Sequence, residues 1–372
     1  MGTIMNTVHV NLGDAAYPIH VGHGLLKDLG AIYQERGLGR RAAVVTDAVV
    51  AEHHLKTAID SLRAAGVDAC PVVLPSGEVH KTLDAVSRVY DALVEARLDR
   101  GSAVVALGGG VVGDIAGFAA ATFLRGIDFV QVPTTIVSQV DASVGGKTGV
   151  DHRGGKNLIG AFHQPRLVCV DTAALKTLPE REIVAGLAEV VKHAVIRDEV
   201  MFALLEAYLD EIVAFQLAPD EMDALIARNC RIKADIVQAD PFERTGLRAI
   251  LNYGHTVGHA IEAATGYGIY LHGEAVILGM AAAGKIACRR GLWPQEDFDR
   301  QARLLRRLGV PPGLGDVSVE KILERMKSDK KARDGVLTFV LPTRIGEVTT
   351  TRDVTREEVL AGMEYAKELS ET

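Results

Sequence analysis

The hydrophobic pattern changes character once along the chain. In the first half, the short runs 42–50, 69–75, 102–110, 128–133 and 166–171 are apolar and β-branched without alternation. Runs of that kind mark strands buried on both faces, and so a parallel α/β sheet. Between them, residues 80–96 place Leu83, Val86, Tyr90, Leu93 and Val94 on one helical face, with Ser76 and Gly77 before its start. After Pro179 the segments 182–196, 199–215, 221–238 and 275–290 all carry helical periodicity, and 356–369 reads as a closing amphipathic helix. Only 336–342 reads as strand in that half. The pattern predicts an α/β domain over residues 1–178 and a mostly α-helical domain over 179–372, with no internal repeat.

Length supports two domains, since 372 residues exceed twice the commonest domain size. A chain with 48% hydrophobic and 24% charged residues is globular rather than disordered. The 41 basic against 48 acidic residues give a net charge of −7. That balance argues against a nucleic-acid or anionic-membrane binder, so an anionic ligand must be met by a local pocket. One tryptophan and 5% aromatics offer little base-stacking surface. Cys70, Cys169, Cys230 and Cys288 lie far apart with no C-x-x-C spacing, which predicts neither disulfides nor a thiolate metal site. No signal peptide and no run of membrane-spanning length is read, so the expectation is a cytoplasmic protein that does not bind membranes.

Three constellations carry candidate chemistry. Gly108-Gly109-Gly110-Val111-Val112-Gly113-Asp114 follows an apolar run and opens a helical stretch. Bare backbone there lets N–H groups and a helix dipole meet a pyrophosphate. The loop comes third or fourth in strand order, which an ordinary first-strand fingerprint does not. Asp47 ends another apolar run, where a carboxylate can accept from two ribose hydroxyls. A second cluster, 141–149 with 154–157, gathers glycines with Lys147, Lys156 and Asn157 in one loop. Asp141 stands where the P-loop spacing requires its first glycine, so phosphate binding is expected there without ATP hydrolysis. The third is Asn252-Tyr253-Gly254-His255-Thr256-Val257-Gly258-His259, followed by His272. His255 and His259 share a helix face, but no H-E-x-x-H glutamate is present for peptidase chemistry. With His272 and an upstream carboxylate, most naturally Glu189, they suit an N/O metal site with an open position. Spacing alone leaves open which two histidines bind. Lys192 shares the Glu189 face, and Lys233 and Arg248 are candidates for a substrate carboxylate.

As an ordered set these stretches, with PSGEVHKT, VPTTIVSQVDASVGGKTGVD, GKNLIGAFHQP, TLPERE, GLAEVVKHA, LHGEAV and SDKKARDG, resemble the 3-dehydroquinate synthase family of sugar-phosphate cyclases over roughly residues 17–345. The resemblance implies a Rossmann-like NAD-binding domain, a helical metal-binding domain and a homodimer. It implies that Glu189, His255 and His272 ligate Zn2+ or Co2+. Asp47, Glu78, Lys81, Gly109, Gly110, Val111, Asp114, Thr134, Thr135, Lys156 and Thr177 then match NAD+ contacts. Asp141, Lys147, Asn157, Lys192, Lys233, Arg248, Asn252, His259 and Lys330 match substrate positions, and Arg125 one that reaches the neighbouring subunit's phosphate site. His259, Lys147, Lys192, Asp141 and Glu243 are the implied catalytic group.

The implied reaction oxidises C5 of 3-deoxy-D-arabino-heptulosonate 7-phosphate, eliminates phosphate, returns the hydride and closes 3-dehydroquinate by an intramolecular aldol step. Net redox change is zero. Val49 departs from the asparagine common two positions after the ribose aspartate. The stretch 240–248 is one residue longer than the family pattern, so Glu243 takes the acid position only through a bulge. The competing readings are a cyclase acting on a relative of that sugar phosphate, a metal-dependent polyol dehydrogenase releasing NADH, and an inactive NAD-binding scaffold.

Overall fold

The computed structural model describes residues 5–266, 268–312, 314, 317–328 and 337–371. In chain order the first part holds β1 (Asn6–Val10), β2 (Tyr17–Gly22), α1 (Leu29–Glu35) and β3 (Arg41–Asp47). A short helix α2 (Ala48–Val50) then runs through a π-helical turn into α3 (Lys56–Ala64). Next come β4 (Asp68–Leu74), α4 (Leu83–Glu95), β5 (Ala103–Gly108), α5 (Gly110–Thr122), β6 (Asp128–Pro133), β7 (Lys147–His152), β8 (Gly155–Phe162) and β9 (Leu167–Asp171). The helical part follows with α6 (Glu180–Arg197), α7 (Glu199–Val213), α8 (Pro219–Ala239), α9 (His255–Ala264), α10 (His272–Arg289), α11 (Gln295–Leu308) and α12 (Val319–Ser328). It closes with β10 (Phe339–Arg344), β11 (Glu347–Thr351) and α13 (Arg356–Glu371).

Among the described residues, seven strands form one sheet in the order β1-β2-β9-β6-β5-β3-β4, parallel except for the β1–β2 hairpin. The non-alternating apolar runs are buried on both faces. Ala42 and Val44 of β3 and Ala103 and Val105 of β5 pack with Leu29, Ile59 and Leu62 of α1 and α3. Their neighbours Ala43, Val45, Val104 and Ala106 pack with Val86, Val89, Ile115 and Ala119 of α4 and α5. Pro71 interrupts no ladder because β4 is the sheet's edge.

The chain steps outward from β3 to β4, then returns to lay β5 on the other side of β3. The order of strands therefore reverses between β3 and β5. That is where ligands bind in open parallel sheets, beyond the carboxyl ends of the strands. It also explains why the glycine-rich loop follows β5 rather than the first strand.

Two local expectations are corrected. Helix α4 begins at Leu83, capped by the Thr82 hydroxyl on Ala85 N–H, and not near Gly77. Its buried face is Ala85, Val86, Val89 and Leu93, while Leu83 and Val94 are exposed. Residues 147–157 are not one loop, because after the turn at 141–146 β7 and β8 pair antiparallel from Lys147↔Phe162 to His152↔Gly155. The glycines permit this closeness. A Cβ on Gly149 would stand 2.4 Å from Ile159 O, and one on Gly160 would stand 2.2 Å from Thr148 O.

The chain forms two compact units. One runs to Leu178 and takes back Leu217–Phe242; the other is Pro179–Gln216 with the chain from Glu243 onward. Helix α8, which a linear division at 178 assigns to the second domain, belongs with the sheet. Its face of Ile226, Cys230 and Val237 is buried, the Cys230 thiol donates to Gln139 O, and Asn11 N–H donates to Gln238 Oε1.

Candidate active site

In the sheet unit, the expected cofactor residues other than Lys156, which lies in β8, stand at or after the carboxyl ends of parallel strands. Asp47 ends β3, Glu78 and Lys81 follow β4, Gly109–Asp114 follow β5, Thr134 and Thr135 follow β6, and Thr177 follows β9. Gly109 caps α5 with no side-chain bond to the first helical N–H groups. A Cβ there would come within 3.2 Å of the Thr135 methyl, so the loop lies close over the β6 end. Asp47 Oδ1 accepts from Val49 N–H, Val50 N–H and the Ser76 hydroxyl. The carboxylate thus caps the following helix as well as ending the strand.

Lys81 is the buried centre of this end. Its Nζ lies 2.5 Å from Asp114 Oδ2 and donates to Asn157 Oδ1 at 2.5 Å. Burial pushes the Asp114 carboxyl up, and Lys81 opposes that. Lys156 reaches Glu78 at 3.3 Å, and Asn157 N–H donates to Asp151, whose own N–H bonds Lys81 O. Thr177 bonds Ala174 O and the His54 ring, and Val49 is exposed. Asp141 Oδ1 lies 2.5 Å from the buried Lys233 Nζ, which also donates to Asp141 O. Lys147 is exposed at the start of β7, and Arg125 is exposed in a turn where it holds φ +71°.

In the helical unit the histidines and Glu189 converge. The three rings of His255, His259 and His272 lie 5.2–5.6 Å apart between centroids. Glu189 has no exposure, and its Oε2 is held by Lys192 Nζ. Its Oε1 lies 3.5 Å from His255 Nε2 and 3.7 Å from His272 Nε2, and it is buried with no hydrogen-bond partner. The other nitrogens of those two rings are engaged, His255 Nδ1 by Tyr253 O at 3.1 Å and His272 Nδ1 by Glu262 Oε2 at 3.2 Å. Both pairings fix ring orientation and leave Nε2 toward one orphaned carboxylate oxygen. This donor set of two imidazoles and one carboxylate suits a divalent cation with an open coordination position.

Local sequence builds that arrangement. Gly254 at φ +78° opens α9, and a Cβ there would strike Met280 and the Val276 carbonyl, so only glycine lets His255 approach α10. At His272, burial lowers the imidazole pKa, but the Glu262 hydrogen bond and the charges of Glu262 and Glu189 outweigh it and raise the value. Glu262 is absent from the sequence reading, although its position three residues after His259 on a buried helix was the available signal. Arg248 is buried in the 3-10 turn Leu247–Asn252, which also carries Asn252. Glu243 is exposed at φ +55° in the lengthened stretch, ahead of Gly246 at φ +85°. Lys330 lies outside the described residues.

Comparison with known proteins agrees with this layout. The family description 3-dehydroquinate synthase N-terminal matches residues 71–185, and 3-dehydroquinate synthase C-terminal matches 186–332. A 3-dehydroquinate synthase of Nostoc punctiforme is 48% identical over 362 residues, covering 96% of this chain and 99% of that protein. Among solved structures, 2-epi-5-epi-valiolone synthase from Streptomyces hygroscopicus subsp. jinggangensis 5008, with NAD+ and Zn2+ bound, superposes with a TM-score of 0.87. It is 30% identical, over 95% of this chain and 97% of its own. A 2-deoxy-scyllo-inosose synthase complexed with carbaglucose-6-phosphate, NAD+ and Co2+ gives a TM-score of 0.84 at 27% identity, over 98% and 100%. This chain belongs to the 3-dehydroquinate synthase family.

Proposed function

We propose that the protein converts 3-deoxy-D-arabino-heptulosonate 7-phosphate to 3-dehydroquinate and phosphate. It is an NAD+- and divalent-metal-dependent carbon–oxygen lyase of aromatic amino acid biosynthesis. One observation carries the reading. In a chain alignable along nearly its whole length with 3-dehydroquinate synthases, Glu189 Oε1 is orphaned between the Nε2 atoms of His255 and His272.

When bound, NAD+ offers a hydride acceptor restored within each turnover, and Zn2+ or Co2+ at Glu189, His255 and His272 polarises substrate oxygens. The chain's own residues do the rest. Asp47, Glu78, Lys81, Gly109, Gly110, Val111, Asp114, Thr134, Thr135, Lys156 and Thr177 hold the cofactor, supported by the place of all but Lys156 at the carboxyl ends of the parallel strands and by the ion pair of Lys156 with Glu78. Lys192 holds Oε2 of Glu189 and leaves Oε1 for the metal. Lys147, Asn157, His259 and Arg125 take the phosphate. Lys233 and Arg248 take the carboxylate, and Asp141, Lys192, Asn252 and Lys330 complete the substrate contacts. Glu243 takes the acid position through the bulge that its positive φ and that of Gly246 support.

The exposed turn at Arg125 fits a homodimer in which that arginine reaches the neighbouring subunit's site. Among the described residues the four cysteines are free and no helix is long and apolar enough to cross a membrane, which supports work in the cytoplasm. The test is product analysis with the sugar phosphate and substoichiometric NAD+. Phosphate and 3-dehydroquinate in equal amounts, without accumulating NADH, support the synthase. NADH accumulating with simple polyols and no phosphate release would overturn it.

A further inference from the structure

A cation outside the expected site ties the His272 segment to the helix that bears Glu189. Arg181 lies in the first turn of α6, and Glu274 in the first turn of α10. Arg181 Nε donates to Glu274 Oε1 at 2.6 Å and Nη2 donates to Oε2 at 2.8 Å, a bidentate pair with the carboxylate almost wholly buried. The same Nη2 donates to Ile269 O at 2.7 Å. Glu274 Oε2 also accepts from Leu271 N–H at 2.7 Å. One guanidinium therefore holds both ends of the turn 269–274, within which His272 sits.

The contact between the helices has a second point. A Cβ on Gly273 would lie 1.7 Å from Ala185 O, so the first turn of α10 rests directly on the α6 backbone. Residues 181, 185 and 189 are spaced by four and share one face of α6. Along that face stand the clamp, the bare glycine contact and the metal-facing carboxylate, with His272 Nε2 3.7 Å from Glu189.

We propose that Arg181, acting through Glu274, is a positioning residue that sets metal affinity by holding His272 against Glu189. This rests on the metal reading given above. A planar, bidentate fork defines both distance and angle, which an ammonium cannot do. Residues that orient a ligand from outside the coordination sphere are typically worth about 10–100-fold in metal affinity.

The experiment measures Co2+ dissociation constants by chelator competition, together with the visible absorption of the Co2+-loaded full chain. Wild type, Arg181→Met, Arg181→Lys and Glu189→Gln are compared, with far-UV circular dichroism and NAD+ binding as checks on folding. The expected result is a roughly 10–100-fold weaker Co2+ affinity and an altered absorption band in Arg181→Met, with Arg181→Lys in between. Unchanged affinity and band in folded Arg181→Met overturn the clamp while the metal reading stands. If Arg181→Met does not fold, unchanged Co2+ affinity in Arg181→Lys overturns it equally. Equal Co2+ binding by wild type and Glu189→Gln overturns the metal reading itself, and the clamp with it.

Discussion

His255 Nε2 stands 3.5 Å from Oε1 of Glu189, and no hydrogen bond closes that gap. Leaving a buried carboxylate oxygen unsatisfied is costly, several kcal/mol for a buried ion. The protein keeps this arrangement although Lys192 already neutralises the other oxygen. A site built for a second cation explains it.

Replacing that carboxylate is therefore the sharpest single change. Glu189→Gln is expected to lose bound metal and activity together, by more than the ~10–100-fold that loss of a supporting residue costs. Metal content per chain after dialysis, alongside kcat, checks it. Full metal occupancy in the variant would contradict the ligand assignment.

Glu262 is expected to act one step further out. Its Oε2 meets His272 Nδ1 at 3.2 Å, so Glu262→Ala should weaken metal binding by about 10–100-fold. Glu262→Gln, which retains an accepting oxygen without the charge, should fall between. Zn2+ affinity by chelator competition distinguishes the three proteins. Equal affinities would remove Glu262 from the account.

Arg248 is assigned to the substrate's carboxylate from a buried position. A charged hydrogen bond is worth about 1.5–3 kcal/mol, so Arg248→Ala should lower kcat/KM by roughly 10–150-fold. The loss should shrink for a substrate analogue in which the carboxylate is replaced by a neutral group. Equal losses on both substrates would place Arg248 in a structural role.

Acid stability is expected to depend on the far end of α10. Arg290 makes a bidentate pair with Glu358 at 2.6 and 2.7 Å, and Glu358 also accepts from Thr355 N–H. The Arg290 hydrogen bonds hold the Glu358 carboxyl down to about 2 against an ordinary 4.5. A depressed folded value means stability is fully present above pH 4.5 and is lost as pH falls from there toward 2. After discounting for solvent screening, the pair contributes about 1 kcal/mol. Urea unfolding of Glu358→Gln should therefore trail wild type near neutrality and converge with it in acid. A constant gap across that range would contradict the assignment.

The parallel sheet was legible because β3, β5, β6 and β9 are apolar without alternation, as strands covered on both sides must be. The metal-bearing helices were legible from periodicity, and the glycines around His255 marked close packing. What escaped depends on contacts made across the chain. Residues 147–162 carry four glycines and few apolar side chains, so their strand character comes from pairing and from resting on α5, where Gly117 leaves room for Thr148. Helix α8 reads like any other helix of the second half, and only its packing on β1 and β2 reveals that it returns to the first unit.

In the site, histidine spacing identified the cluster, but only the structure shows that Tyr253 O and Glu262 Oε2 engage the Nδ1 atoms of His255 and His272. Glu262, and Arg181 within the stretch TLPERE, gain their importance from what they touch. Lys81 shows the same limit, since a lysine after a strand reads as surface until Asp114 and Asn157 are seen around its Nζ.

The central claim is that turnover of the sugar phosphate requires one metal ion held by Glu189, His255 and His272. The most direct measurement titrates metal-free protein with Zn2+ while following phosphate release and 3-dehydroquinate formation in the presence of NAD+. The account predicts no turnover without metal, a linear rise to one equivalent per chain, and no rise in Glu189→Gln. Full turnover by the metal-free protein, or a Zn2+ response unchanged in Glu189→Gln, would contradict it.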